Sequence, residues 1–164
     1  MADVVVHAAA LSAEAFAPFG DVIEIEGRES RWINDNTCRR FDDLAHIDVA
    51  EDGGRPLLSV FEANPQSLPL YIRGLERHPL SSQAFFPLER RPFLVVVAED
   101  GPSGRLHAFL SSGRQGVNYR RNTWHHPLIA LDQISRFLVV DRGGSGENCE
   151  EVTLDAPVLV SSPQ

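Results

Sequence analysis

The chain consists of short runs of β-forming residues, and each run is closed by glycine, proline, asparagine or serine. Its 164 residues include 11 prolines and 12 glycines, and both types disfavour the interior of a helix. The alternation of strands with helices of about 10 to 15 residues, which is typical of a parallel βαβ sheet, is missing. A single all-β domain over residues 1–164, a sandwich or a small barrel, is therefore predicted.

The predicted elements follow from the spacing of apolar residues. Ser12 is a suitable N-cap for a short helix that ends near Gly20. Alternating polar and apolar residues over 21–26 predict a half-buried strand. Further strands are predicted at 57–63, 70–78, 83–88, 93–98, 105–110, 124–131 and 136–141. Turn residues at 99–105 predict a hairpin, and the stretch 156–164 is compatible with a last strand or a loose tail.

Charge and hydropathy exclude several classes of partner. A formal charge of −8 at pH 7 disfavours nucleic acid, because phosphate binding needs a basic surface. No apolar run in the sequence approaches the roughly 20 residues of a membrane-spanning helix, and the N-terminus lacks the basic start of a secretory signal. Cys38 and Cys149 belong to no metal-binding or redox motif. Free cysteines without a functional role and a cytoplasmic location are therefore expected.

The stretch "LERHPLSSQAFFPL" carries the first candidate site residues. On a strand that ends near residue 78, Glu76 and His78 face the same side, and the "PLSS" turn allows Gln83 to face them from the next strand. A carboxylate, an imidazole and an amide oxygen at one place suit a divalent metal ion or acid–base catalysis. The structural alternative is a surface ion pair of Glu76 with Arg73 or Arg77.

The stretch "NTWHHP" places two histidines side by side, and neighbours on a strand face opposite sides. His126 shares its side with Asn122 and precedes Pro127, which favours an extended and stiff backbone. We therefore assign His126 to the pocket and His125 to its wall or to a subunit contact. A β-bulge at Trp124 would exchange the two assignments, because one extra residue re-aims every side chain after it.

Together the two stretches resemble the paired motifs of the cupin barrel, G-x5-H-x-H-x4-E and G-x5-P-x-G-x2-H. Glu76-x-His78-x4-Gln83 takes the place of the first motif, without its leading glycine, and Gly116-x5-Asn122 opens the second. The resemblance implies a cupin-type β-barrel, also called a double-stranded β-helix or jelly roll, with a short N-terminal helix. If a metal is bound, the ligands implied are Glu76, His78, Gln83 and His126.

Four longer blocks are similar to those of the ureidoglycolate lyase family, also called ureidoglycolate hydrolases. They are "INDNTCRRFDDL", "ERHPLSSQAFFP", "GVNYRRNTWHHPL" and "FLVVDRGGSGENC". The resemblance covers nearly the whole chain. It implies a homodimer that splits (S)-ureidoglycolate into glyoxylate and urea, late in allantoin breakdown, and it implies nickel as the cofactor.

That reaction needs groups that remove the hydroxyl proton, protonate the nitrogen, and hold the carboxylate and the urea. Neutral histidine is a suitable base near pH 7, and a carboxylate beside it stabilises its charged form. The catalytic candidates are Glu76, His78, Gln83, His125 and His126. The candidates for substrate binding are Arg40 at the carboxylate, with Tyr119 and Asn122 at the urea group.

Two other functions fit a cupin: an isomerase or epimerase of a sugar or keto acid, and a ligand-binding domain without catalysis. The stretch "FLVVVA" at 93–98 is apolar on both faces, which predicts a homodimer that buries one of them. The "DRG" sequence at 141–143 is interpreted as a structural ion pair at a turn.

Overall fold

The computed structural model describes residues 3–164, which form one short α-helix and many β-strands. The helix α1 spans Ala13–Phe16, and a 3-10 turn spans Glu51–Gly53. The strands are β1 (Val4–His7), β2 (Ala9–Ala10), β3 (Gly20–Ile23), β4 (Arg31–Ile33), β5 (Cys38–Arg40), β6 (Arg55–Ala63), β7 (Pro65–Gln66), β8 (Leu70–Arg77), β9 (Gln83–Pro87), β10 (Phe93–Ala98), β11 (Leu106–Leu110), β12 (Gly116–Tyr119), β13 (Ile129–Leu131), β14 (Ser135–Gly143) and β15 (Glu150–Ser161). The predicted all-β fold with a short N-terminal helix is confirmed. No helix within the described residues is long and apolar enough to cross a membrane.

The strands form three stacked sheets and a separate hairpin. The middle sheet has the order β2-β11-β10-β13-β7, and one neighbour has the order β3-β12-β9-β14-β6. The third sheet has the order β1-β15-β8, and β4 pairs with β5 in the separate hairpin. The hairpin predicted around 99–105 is formed by β10 and β11, in which Val96 lies opposite Ala108.

Two hydrophobic cores lie on opposite sides of the middle sheet. One core packs Val95 of β10 with Phe85 and Phe137 of the neighbouring sheet, and the other packs Val96 of β10 with Ile72 of the third sheet. Every residue of β10 is buried, because strand side chains point alternately to two faces and both faces are covered. The chain's own sheets therefore cover the stretch 93–98, and the prediction that a subunit contact buries it is wrong.

Two segments near the C-terminus differ from the predicted strands or go beyond them. Within 124–131 only Ile129–Leu131 is regular strand, and His125 forms isolated bridges with Glu76 and Val97. The C-terminal stretch continues β15, which pairs with β8 and runs parallel to β1. A strand rather than a loose tail therefore completes the third sheet.

Candidate active site

Three of the candidate residues meet where β8 ends and β9 begins. Glu76 lies near the end of β8, and Gln83 starts β9 after a turn. Oε1 of Glu76 lies 3.8 Å from Nε2 of His78, and the same Nε2 lies 3.0 Å from Oε1 of Gln83. Nδ1 of His78 lies 2.7 Å from the backbone oxygen of Asn148, which fixes the ring. The three side chains thus converge, as strand alternation and the turn predict.

His125 completes this group, which we call the inner cluster (Glu76, His78, Gln83 and His125). Its backbone exchanges two hydrogen bonds with that of Glu76, at 2.8 and 2.9 Å. Nε2 of His125 lies 3.4 Å from Oε1 of Glu76, and its ring centre lies 5.2 Å from that of His78. The buried imidazole stacks on the ring of Tyr119, with 4.0 Å between centres. Tyr119 and His125 therefore form one wall of the cluster.

The structure places the two neighbouring histidines at different sites. His126 lies outside the inner cluster: its Nδ1 donates to the backbone oxygen of Pro127 at 2.8 Å, and the residue lines an open cavity of about 580 Å³ together with Arg73 and Glu76. Burial lowers the pKa of His126 below its ordinary 6.5. His125, and not His126, therefore lies beside His78 and Gln83, whereas His126 lines a cavity next to Glu76.

The alternation argument failed at Asn122. This residue has a left-handed backbone, with φ of 66°, in a turn that follows the end of β12. Alternation of side chains holds only along a continuous strand, so it cannot be carried from residue 122 to residue 126. The orientation of His125 is set instead by its bridges to Glu76 and Val97, which are distant in the sequence.

Neighbouring groups stabilise the charge of Glu76. Contact with the protonated form of the His125 ring lowers the pKa of the Glu76 carboxyl below its usual 4.5, and burial opposes this in part. Sγ of the exposed Cys149 lies 3.7 Å from the other carboxylate oxygen. Burial and the charge of Glu76 raise the pKa of the Tyr119 hydroxyl. Tyr119 therefore stays protonated and offers a hydrogen-bond donor.

His125 holds a buried nitrogen whose lone pair is unused. Its Nδ1 donates to the backbone oxygen of Thr123 at 2.9 Å, so the neutral ring carries its lone pair on Nε2. Nε2 is buried and has no hydrogen-bond partner among residues 3–164. The carboxylate of Glu76 is close, at 3.4 Å, but it does not meet the geometry of a hydrogen bond. A buried polar atom of this kind costs about 1–3 kcal/mol, which a substrate, a proton or a metal ion would offset.

The donors of the inner cluster fit a divalent metal ion. Glu76, His78 and His125 each present one donor atom, and these atoms lie within 4.8 Å of one another. Imidazole nitrogen suits nickel, iron or zinc, and a carboxylate oxygen adds a hard ligand. The unpartnered Nε2 of His125 favours such a site, because an ion would satisfy it. The ligand set differs from the predicted one in having His125 where His126 was expected.

Asp141 is a residue of this site that the sequence analysis did not identify. It lies on β14, and its Oδ2 accepts a hydrogen bond from Nε2 of Gln83 at 3.2 Å. The interpretation of "DRG" as an ion pair is wrong, because Arg142 donates to the backbone oxygen of Glu51 at 3.0 and 3.1 Å. Alternation along β14 is the signal that could have found Asp141, since Val139 is in the core and Asp141 shares its side.

Two predicted substrate-binding residues lie outside the inner cluster. Arg40 ends β5 in the exposed hairpin, where its guanidinium pairs with Asp42. Asn122 is exposed, and its backbone N–H donates to the backbone oxygen of His78 at 3.1 Å. Asn122 therefore supports the backbone beside the cluster, whereas Tyr119 contributes its side chain to the cluster wall.

The chain is similar to proteins of one enzyme family. A sequence model described as ureidoglycolate lyase matches residues 3–161. A ureidoglycolate lyase of Burkholderia mallei is 56% identical over 146 residues, which are 88% of this chain and 86% of that protein. A ureidoglycolate lyase of Brucella anthropi is 56% identical over 143 residues, which are 86% of this chain and 85% of that protein.

A solved structure is also similar, at lower identity. The crystal structure of a dTDP sugar isomerase from Desulfovibrio desulfuricans G20 matches 80% of this chain and 87% of that chain, with 15% identity and a TM-score of 0.47. The family match is far more extensive, since it covers residues 3–161 and is accompanied by 56% identity to named relatives. The chain belongs to the ureidoglycolate lyase family.

Proposed function

We propose that the protein cleaves (S)-ureidoglycolate into glyoxylate and urea, a late step of allantoin breakdown. Relatives named ureidoglycolate lyase, at 56% identity, support this activity. The structural observation that carries it is Nε2 of His125, which is buried, has no hydrogen-bond partner among the described residues and lies 3.4 Å from the Glu76 carboxylate. A buried lone pair at this position can accept the proton of a substrate hydroxyl. A cytoplasmic location stays a prediction.

The proposed step moves one proton and breaks one bond. Nε2 of His125 takes the proton of the substrate hydroxyl, and the electron pair left on that oxygen forms the carbonyl of glyoxylate. The carbon–nitrogen bond at the same carbon breaks, and its electron pair stays on the urea nitrogen, which takes the proton back from the imidazolium. Glu76 stabilises the imidazolium between the two transfers, because a nearby opposite charge favours the charged form.

Other groups of the cluster hold the substrate. The Tyr119 hydroxyl stays protonated, because burial and Glu76 raise its pKa, and it donates to an oxygen of the substrate. Oε1 of Gln83 is an acceptor for the N–H groups of the urea. Arg40 lies outside the cluster and pairs with Asp42, so we propose no carboxylate contact for it within one chain.

Nickel, the metal implied by family resemblance, would use the same lone pair, so in a metal-bound protein His125 would be a ligand and not the proton acceptor. Glu76, His78 and His125 would hold the ion, and a bound ion supplies positive charge to the carboxylate and hydroxyl oxygens of the substrate. We expect added divalent metal to raise the activity and chelators to lower it without always abolishing it. Full activity of protein shown by elemental analysis to be metal-free would leave His125 in the direct acid–base role.

A direct assay tests the lyase activity. Purified protein is incubated with each enantiomer of ureidoglycolate, and glyoxylate and urea are measured separately. Equal amounts of the two products from the S enantiomer are expected. Tight binding of ureidoglycolate without turnover would support a ligand-binding domain instead. Conversion of a sugar or keto acid without release of urea would support an isomerase or epimerase.

We also propose a homodimer, with the outer face of β6, β14 and β9 as the contact surface. Leu58 and Val60 of β6 are 69% and 56% exposed. Leu138 of β14 lies opposite both Val60 and Phe86, so these side chains share the outer face. Adjacent exposed apolar side chains form a patch of the kind that marks protein contacts.

Sedimentation of two variants tests this contact surface. Leu58→Asp places a charge in the patch and is expected to shift the protein from dimer to monomer. Val5→Asp is the control, because Val5 is also exposed but lies on β1 of the third sheet. A wild-type monomer at micromolar concentration, or equal dissociation of both variants, would refute the proposed surface.

A further inference from the structure

Gln83 connects the inner cluster to a carboxylate on another strand. Its Nε2 donates to Oδ2 of Asp141 at 3.2 Å, and its Oε1 lies 3.0 Å from Nε2 of His78. Gln83 is buried. Oδ1 of Asp141 is also buried and has no hydrogen-bond partner in the part of the chain that the structure describes. A buried chain of polar contacts therefore runs from β14 through β9 to the end of β8.

The two ends of the Gln83 amide are not interchangeable here. The amide oxygen only accepts hydrogen bonds, and the amide nitrogen only donates them. The carboxylate of Asp141 only accepts, so it holds the nitrogen end of the amide. A reversed amide would bring its oxygen against the carboxylate oxygen, and both buried groups would lose their partner. Asp141 thus determines which atom of Gln83 faces His78.

We propose that Asp141 is a positioning residue, which aims the carbonyl oxygen of Gln83 into the inner cluster by accepting a hydrogen bond from its amide. The consequence for catalysis rests on the proposed lyase function, but the orientation of Gln83 does not. Oε1 of Gln83 either accepts from a donor in the cluster or binds a metal ion, and its direction matters in both cases. Loss of an outer partner of this kind typically costs about 10- to 100-fold in activity or metal affinity.

Two substitutions of Asp141 distinguish the effect of positioning Gln83 from the effect of the Asp141 charge. Asp141→Leu is similar in size and removes the acceptor, whereas Asp141→Asn removes the charge and keeps an oxygen that can accept from Gln83. We expect Asp141→Leu to lower kcat about 30-fold with KM changed less than about threefold, and Asp141→Asn to keep most of the activity. An equal loss in both variants would show that charge is responsible, and no loss in Asp141→Leu would also overturn the proposal.

The orientation of Gln83 can be measured without any enzyme assay. The side-chain amide protons of Gln83 are identified by nuclear magnetic resonance as the pair that disappears in Gln83→Met. In the wild type they are expected to exchange slowly with solvent, because they are buried and hydrogen-bonded. Fast exchange in Asp141→Leu supports the proposal, and unchanged exchange refutes it. This result stands even if ureidoglycolate proves not to be the substrate.

A double substitution keeps the proposal testable if Asp141→Leu does not fold. Gln83→Glu alone places two carboxylates against each other and is expected to lose at least about 30-fold in kcat. Adding Asp141→Asn supplies an amide donor to the new carboxylate, so the contact is restored in reverse. We expect the double variant to recover at least about tenfold over Gln83→Glu. A double variant no more active than Gln83→Glu would refute the proposal.

Discussion

Two glutamate–histidine pairs in this protein have the same chemistry and different surroundings. Nε2 of His107 lies 2.8 Å from Glu99, and the two side chains are 27% and 41% exposed. Nε2 of His125 lies 3.4 Å from Glu76, and those side chains are 1% and 18% exposed. The shorter contact therefore belongs to the pair that lies closer to water.

The two pairs differ most in the other hydrogen bonds that their side chains form. Glu99 also accepts from Arg105 at 3.2 Å, so a histidine and an arginine satisfy it at the surface. Nε2 of His125 has no hydrogen-bond partner within residues 3–164, although it lies among the polar groups of the inner cluster. The pKa of each glutamate is lowered, in both cases first by contact with its histidine. Burial and an unused lone pair, rather than the direction of a pKa shift, therefore distinguish the site.

The largest expected difference is between the two histidines of these pairs. His125→Ala should lower kcat/KM for ureidoglycolate by about 100-fold or more, the usual effect of losing a positioned base. His107→Ala should change it less than about threefold, because His107 lies outside the inner cluster. Steady-state assays of both variants measure the difference.

Stability must be measured alongside these rates, because His125 is buried. His125→Ala is expected to cost about 1–3 kcal/mol of unfolding free energy. His125→Gln leaves a smaller cavity and is therefore the better variant for the kinetic test. Similar kinetic losses in His107→Ala and His125→Gln would remove the distinction between the pairs.

A smaller loss is expected when the glutamates lose their charge. Glu76→Gln keeps the size of the side chain and removes the charge that stabilises the His125 imidazolium, so kcat should fall about 10- to 100-fold. Glu99→Gln is the matched control, with an expected change below about twofold. A Glu76→Gln variant as active as Glu99→Gln would show that the buried carboxylate has no role in the reaction.

The neighbouring histidine should have a weaker effect still. His126→Ala is expected to lower kcat/KM less than about tenfold, because His126 bonds to the backbone of Pro127 and lies outside the inner cluster. The same assay that tests His125→Ala measures it. An inactive His126→Ala beside an active His125→Gln would restore the assignment that strand alternation predicts.

The smallest expected effect is on stability at low pH. The pKa of Glu76 is lower in the folded state than the 4.5 of an ordinary glutamate, so the unfolded chain binds the proton more tightly. The stability from this pair is therefore present above about pH 4.5 and is lost as pH falls through the folded pKa. In urea titrations, the free energy of unfolding of Glu76→Gln should fall less than that of the wild type between pH 5 and pH 3, roughly the range in which the Glu76 carboxyl is protonated. Glu99→Gln should change this slope less, because solvent screens an exposed pair.

Several features were predictable because they depend on neighbouring residues. The apolar run over 93–98 and the turn at 99–105 predict β10 and its hairpin partner. The spacing of Glu76, His78 and Gln83 across a short turn places them at one site, and their contacts of 3.8 and 3.0 Å agree with this. The resemblance of the sequence motifs predicted the family, and the match over residues 3–161 confirms it.

Only the tertiary structure decided which histidine joins the cluster and what covers β10. Strand β12 ends at Tyr119, and a turn with a left-handed backbone at Asn122 follows it. The sequence therefore holds no continuous alternation from which to orient His125 or His126. The bridges of His125 to Glu76 and Val97, and the contact of Gln83 with Asp141, join segments that are far apart in the chain. The alternation of side chains and the preference for a turn depend on a few neighbouring residues. The direction of a side chain after a turn depends instead on the strands with which the next segment pairs.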